Sequence, residues 1–452
     1  MNIRHAIVDK PPVKAVRFLK VSFNQDESCF SCGTQDGFVV FNSDPLTCKL
    51  IKKFDDKDNN GIGLTRMLYR TNYTALVGGG KKPRYPLNKL IIWDDLRKTE
   101  TSVLKFMSPV KDVFLSRVYI IVVLENSIEI FYFQPTPTRI CPSLDIYPNG
   151  IVDFVMSQSR IHRRRSIEME NSESSSSLQG ILAFPSARSV GQVHITNLSQ
   201  LKHSDSNPSG TRLLPTSIIK AHKSAIRMLR LNPQGTMVAT CSVQGTLIRI
   251  FSTLNGSLLR EFRRGLDRAD IYDMAFSHGG TKLAVVSDKQ TLHIFQVLSS
   301  THPQNNESTI TNNKPNMNDS FDHGKNKVHA LRDVIPNVWK PKYIDSIWSM
   351  CSIHLTNPLL RSSSNNDNDP DFLHDRCKIG WCRDATGYTN GNVAINDDDE
   401  DSLILVWQNR GIWEKYVILE KEESSYSTSE TLRTEKQDIK KWDLIRESWR
   451  QI

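Results

Sequence analysis

The stretch "GTMVATCSVQGTLIRIFST" (235–253) decides how the chain is read. It holds two short runs rich in apolar and β-branched residues, "MVATC" and "LIRIF", separated by a Gly-bearing turn. Short runs of this kind, bounded by turn residues, are strands. The second run has relatives along the chain: "DGFVVFNSD" (36–44), "NKLIIWDDL" (88–96), "NSIEIFYF" (126–133), "GQVHITNLS" (191–199), "QTLHIFQV" (290–297) and "DSLILVWQN" (401–409). Each starts on a polar or Gly residue, runs apolar and stops on a polar one. Another strand-like run precedes most of them. A third follows several, as in "CKLIKKF" (48–54) and "SLLREF" (257–262).

A unit of about four strands repeated seven times is the pattern of a β-propeller, whose sheets pack face to face and bury both sides. The expected fold class is all-β: a seven-bladed propeller of WD-type repeats with four antiparallel strands per blade. The expected blades are 17–57, 58–108, 109–147, 148–221, 222–265, 266–360 and 373–452. "IKKWDLIRESWRQI" (439–452) is read as the outer strand of the last blade rather than a short helix. The ring then closes without strands shared between its ends. Polar insertions interrupt the repeat: a Ser-rich blade-four loop at 157–180, a blade-six loop at 298–345, and stretches at 361–372 and 385–401. Much of the blade-six loop is nearly free of large apolar residues, a composition that favours disorder.

The 452 residues carry 58 Lys and Arg against 49 Asp and Glu, a formal net charge of +9. A basic surface favours an anionic partner without choosing among membrane, nucleic acid and acidic protein. No apolar run is long enough for a spanning helix, and the N-terminus has no signal-peptide pattern. The eight cysteines, including those of "CFSC" (29–32) and "CKIGWC" (377–382), are expected as reduced thiols. Neither a disulfide framework nor a metal site is expected, and no cofactor. An enzyme is not expected either. "VGGGKKP" (77–83) lacks the spacing of a phosphate-binding loop. Neither a G-x-S-x-G elbow nor an H-E-x-x-H motif occurs.

Two adjacent arginines, Arg263 and Arg264, end an apolar run in "EFRRGLDRAD" (261–270). In extended backbone, successive side chains point to opposite sides. The pair should therefore diverge toward the two neighbouring blades, with Gly265 allowing a sharp turn. A guanidinium fork matches phosphate oxygens, so two diverging forks point to two phosphate sites. Each flanking blade offers hydroxyls and one nitrogen base or cation in parallel order. Ser242, Thr246 and Arg249 come from blade five, and Ser287, Thr291 and His293 from blade six. His222 could join the first group. The same residues also fit plain turn chemistry and a structural histidine.

Read together, "LREFRRGLDRADIYDMAFS" (259–277), "LVGGGKKPRYPLNKLIIWDDL" (76–96) and "PTSIIKAHKSAIRMLRLN" (215–232) resemble the PROPPIN family of polyphosphoinositide-binding propellers. The family's Phe/Leu-Arg-Arg-Gly motif is matched by Phe262 to Gly265. The resemblance implies ligands phosphatidylinositol 3-phosphate and phosphatidylinositol 3,5-bisphosphate at two rim sites. The first would use His222, Ser242, Thr246, Arg249 and Arg263. The second would use Arg264, Ser287, Thr291 and His293. It further implies a blade-six membrane anchor, for which Leu331, Val334, Ile335, Val338, Trp339 and Tyr343 are the candidates. Apolar and aromatic side chains between basic residues suit interfacial insertion.

The implied partners are phosphoinositide-containing membranes and autophagy proteins, including a large lipid-transfer protein. The implied setting is a cytoplasmic monomer recruited to endosomal, vacuolar and pre-autophagosomal membranes. Nucleic acid is not expected. Two other readings remain open: a basic propeller that binds RNA through "RIHRRRS" (160–166), and a pure protein scaffold.

Overall fold

A strand covered on both faces must be apolar on both, and the second strands of the repeat meet that demand. In the computed structural model the second strand of blade five, Met237–Ser242, is buried at every position. So is that of blade six, Lys282–Ser287. The structure describes residues 17–54, 59–148, 150–159, 177–200, 215–298, 346–356, 375–382, 401–421 and 441–452.

Seven four-stranded antiparallel sheets form the molecule, each from one contiguous stretch of chain. They span 20–53, 62–105, 112–145, 153–220, 226–263, 271–354 and 377–451. First strands pack on the first strands of neighbouring blades, including those of blades one and seven. The fourth strands of blades one and two, Thr47–Lys53 and Thr99–Lys105, are largely exposed. The chain thus runs outward from axis to rim within each blade. The architecture is the expected all-β seven-bladed propeller.

Blade seven is built wholly from the C-terminal part of the chain, ending in Lys441–Gln451, so the ring closes without shared strands. Side chains and loop backbone make the closure instead. Phe30, Cys32 and Phe41 of blade one pack with Ile404, Val406 and Trp413 of blade seven. Trp413 Nε1 donates to the Ser43 carbonyl at 3.1 Å, and Lys415 pairs with Asp44 at 2.9 Å.

Two details differ from the sequence reading. In blades one to six the repeated signature is the third strand, but in blade seven "SLILVW" (402–407) is the second. The third there is Ile412–Lys421. The polar stretch before residue 401 lies between the first and second strands and displaces the apparent repeat by one strand. The blade-four loop is also shorter than 157–180. Ser157 to Ser159 pair with Ser177 to Gln179, because this polar sequence still continues the hairpin ladder.

Cys29 and Cys32 lie within one strand, Cys29–Thr34. Alternation sends Cys29 into the core shared with blade two and Cys32 into the core shared with blade seven. The two thiols therefore cannot converge on one ion.

Every first strand carries a charged side chain, Lys20, Arg66, Asp112, Asp153, Arg230, Asp273 and Lys378, and that of blade five also carries Arg227, which pairs with Asp270. Asp112 binds Arg66 at 2.8 Å and Lys20 at 3.2 Å. Arg230 reaches Asp273 at 2.7 Å and Asp153 at 3.4 Å, and Lys378 reaches Asp273 at 3.2 Å. These pairs tie blades together around the axis.

Candidate functional site

The outer strand of blade five, Leu258–Arg263, ends on the first arginine of the pair, and Arg264 follows directly. Its facing is set by Phe262, which is fully buried and stacks on Phe295 of blade six, with ring centroids 5.0 Å apart. Cys241, Ile248 and Phe262 share a core with Leu283 and Val285 of blade six. Val238 and Phe251 pack instead with Ile195 and Ile219 of blade four. Alternation then assigns Thr240, Ser242, Arg249, Glu261 and Arg263 to the blade-four side.

On that side a polar row crosses the sheet. Thr240 lies opposite Arg249, and Arg249 opposite Glu261. His222 Nε2 and Thr240 Oγ1 are 3.0 Å apart. Arg249 donates Nε to Glu261 Oε2 at 2.7 Å and Nη1 to the Ala221 carbonyl at 2.6 Å. Burial and the Arg249 charge hold the His222 pKa down at about 4. The imidazole is thus neutral at pH 7 and offers hydrogen bonds rather than charge. Arg263 donates Nε to Ser346 Oγ at 3.0 Å, and its backbone N–H reaches the Ile347 carbonyl at 2.8 Å. The chain returning into blade six therefore docks beside the pair.

The turn before the third strand depends on Gly245, which sits at φ 63°. A Cβ there would lie 1.9 Å from the Ala269 carbonyl oxygen, so no other residue fits without movement. This turn connects Ser242, which is buried, to Thr246, whose carbonyl accepts the Arg264 N–H at 2.9 Å.

Arg264 is buried and donates Nε to the Gly245 carbonyl at 2.8 Å and Nη2 to the Asp267 carbonyl at 2.6 Å. Blade six supplies Ser287, fully buried, with Thr291 and His293 on the strand Thr291–Gln296. His293 Nε2 lies 3.1 Å from Thr291 Oγ1, and Nδ1 3.2 Å from Ser349 Oγ. Burial, then the charge of Arg264, pushes the His293 pKa down to about 4. His293 is thus a second neutral imidazole within electrostatic reach of a buried guanidinium.

The structure groups His222 with Arg249, and Arg264 with His293, and it turns Arg263 toward Ser346. Gly265 is not in the left-handed region, and a Cβ there would meet nothing within 4 Å. The expected glycine-dependent turn is therefore absent at Gly265, and the left-handed glycine of this region is Gly245. Thr240, Glu261, Ser346 and Ser349 were not singled out from sequence. Thr240 and Glu261 could have been found from the alternation that faces them toward Arg249. Ser346 and Ser349 carry no spacing signal, since a long insertion separates them from Arg263 and His293. The anchor candidates Leu331, Val334, Ile335, Val338, Trp339 and Tyr343 lie outside the described residues.

A family model described as PROPPIN matches residues 180–325, which include both groups of residues. SVP1-like protein 2 of Saccharomyces cerevisiae is 53% identical over 100% of this chain and 99% of its own length. This chain belongs to the PROPPIN family. PROPPINs are non-enzymatic lipid-binding propellers, and the chain is accordingly a phosphoinositide-binding β-propeller. The crystal structure of Kluyveromyces marxianus Hsv2 is similar, with a TM-score of 0.61 at 28% identity. That alignment covers 97% of this PROPPIN and 99% of the other chain. Kluyveromyces lactis Atg21, in complex with the Atg16 coiled coil, shares the fold at 18% identity and a TM-score of 0.56, over 89% of this chain and 94% of that one. Among the described residues no helix is long and apolar enough to cross a membrane.

Proposed function

We propose that this PROPPIN recognises phosphatidylinositol 3-phosphate and phosphatidylinositol 3,5-bisphosphate through two sites flanking Phe262 to Gly265. The observation that carries the reading is the separation of the arginines. Arg263 lies on the blade-four side with Arg249, and Arg264 lies within electrostatic reach of His293 of blade six. His222, Ser242, Thr246, Arg249 and Arg263 would serve the first phosphate. Arg264, Ser287, Thr291 and His293 would serve the second. The guanidinium groups supply charge, and the neutral imidazoles and hydroxyls supply directed hydrogen bonds.

Two weak headgroup sites on one rigid rim raise the effective concentration of the second contact. The segment 298–345 adds an anchor in this reading, inserting apolar and aromatic side chains between headgroups. Its return at Ser346, beside Arg263, is consistent with an anchor next to the first site. Such a propeller would stand edge-on at the membrane with its faces free. Recruitment from cytoplasm to endosomal, vacuolar and pre-autophagosomal membranes follows, with work in autophagy and vacuolar traffic. Protein partners of autophagy, including a large lipid-transfer protein, belong to the same proposal. The fold shared with Atg21, solved with an Atg16 coiled coil, supports a protein-binding role of that general kind.

Liposome flotation at physiological salt tests the reading, using vesicles with no phosphoinositide, each monophosphate, or the 3,5-bisphosphate. The wild type should float only with 3-phosphorylated vesicles. Arg263→Thr with Arg264→Thr should lose at least about tenfold in binding, the loss expected of charge-assisted contacts. Circular dichroism checks that the variant stays folded. Equal flotation with every acidic vesicle, unchanged in the variant, would overturn the proposal and send attention to RNA and protein ligands.

A further inference from the structure

Resting on that reading, we infer that Glu261 occupies the place of a ligand oxygen in the first site and so sets what that site accepts. Arg249 is the one fork of this site that lies in the polar row with His222 and Thr240. In the structure its Nε is taken by the Glu261 carboxylate at 2.7 Å. Neither partner is deeply buried: the side chains are 27% and 38% exposed. The pair therefore lies where an incoming anion can meet it. Arg249 does not need Glu261 to keep its place, because Nη1 is held separately by the Ala221 carbonyl at 2.6 Å. Removing the carboxylate leaves a positioned guanidinium with a free edge.

Exchange at Arg249 is a competition between anions. A phosphodiester or a neighbouring lipid carboxylate brings about one negative charge, no more than Glu261 already supplies. A phosphomonoester brings about 1.5 to 2 negative charges at neutral pH and three acceptor oxygens. It displaces Glu261 with a net electrostatic gain, which a phosphodiester lacks. The carboxylate is thus a threshold. It makes the first site respond to monoester phosphate and stay silent toward the ordinary anionic lipids that surround it. Glu261 is a specificity-determining residue that acts through Arg249. Its presence in a phosphate site, otherwise a liability, has a use on this account.

The test uses Glu261→Gln, which keeps the size and a hydrogen-bonding oxygen and removes the charge. Titration calorimetry with soluble short-chain phosphatidylinositol 3-phosphate is run on wild type, E261Q and each in a Thr291→Ala with His293→Ala background, which removes blade-six groups of the second site and keeps the Arg264 bond to the Gly245 turn of the first. Inorganic phosphate serves as a parallel arm, to separate bare phosphate from the lipid headgroup. Flotation on phosphatidylserine vesicles without phosphoinositide supplies the second readout. E261Q should bind the monoester tighter by about three- to fivefold, the scale of one partly exposed charge pair. It should also float with phosphatidylserine alone, where wild type does not, so the selectivity ratio falls. Unchanged or weaker monoester binding, or unchanged selectivity, overturns the inference while leaving the two-site reading intact. Failure of wild type to bind the phosphoinositide overturns both. Thermal unfolding of E261Q within a few degrees of wild type excludes a general structural defect.

Discussion

His222 and His293 have the same electrostatic character on opposite sides of one strand. Both are neutral because burial and a nearby guanidinium oppose protonation, with pKa values held at about 4. The unfolded chain protonates histidine near pH 6.5. Between pH 6.5 and 4 the unfolded state therefore binds more protons, and stability falls as pH falls through that window. Urea midpoints measured at pH 7 and pH 5 should show this loss. Replacing both histidines with asparagine should make the difference smaller. An unchanged difference would mean the two rings titrate normally. Sequence reading named both histidines but could not assign their charge, which depends on burial and on which arginine each ring faces. It also left Glu261 unmarked, since a glutamate beside "FRRG" looks like an ordinary surface charge until the register opposite Arg249 is known.

The strand that bears Phe262 joins packing to recognition. Phe262 is fully buried against Phe295, while Arg263 and Arg264 follow it directly in the chain. Phe262→Ala should cost about 3–5 kcal/mol, as deletion of a fully buried aromatic ring commonly does. Chemical denaturation measures it. The paired arginine substitution should cost much less stability than Phe262→Ala while removing more binding per unit of stability lost. Strands were legible because their apolar runs repeat, and the two arginines were legible because adjacent like charges at a strand end are conspicuous. Blade seven was misregistered by one strand because its insertion falls between the first two strands, where pattern alone supplies no count. Serines 346 and 349 were hidden for a related reason: the segment that brings them back is too long for spacing to carry information.

Around the axis, Asp273 accepts from Arg230 of blade five at 2.7 Å and from Lys378 of blade seven at 3.2 Å. It also accepts the Ile379 N–H at 3.1 Å, and it is 2% exposed. One carboxylate thus joins three blades, and its ionised form is favoured by Lys378 and Arg230 against the cost of burial. Asp273→Asn should destabilise by about 3–5 kcal/mol, because two partly buried cations lose their shared partner. The thermal midpoint of the variant checks this, and an essentially unchanged value would show the axial charges to be independent of one another. The ring of seven was legible in outline from periodicity, but the axial charges were not. Nothing in any single strand marks its charge as axial, and only circular closure makes neighbours of Lys20 and Asp112.

That closure has a mechanical consequence. In a ring whose last sheet borrows a strand from the first segment of chain, parting the join means stripping a ladder of backbone bonds. Here the join between blades seven and one depends on side-chain packing, loop hydrogen bonds and the pair Lys415–Asp44. Each sheet is a self-contained length of chain, and this boundary lies between two blades that are not consecutive in sequence, so no connecting loop reinforces its packing. The molecule behaves as a split washer whose cut is pressed shut, and a tether pulling outward on either flank would strain the seam before it unravelled any sheet.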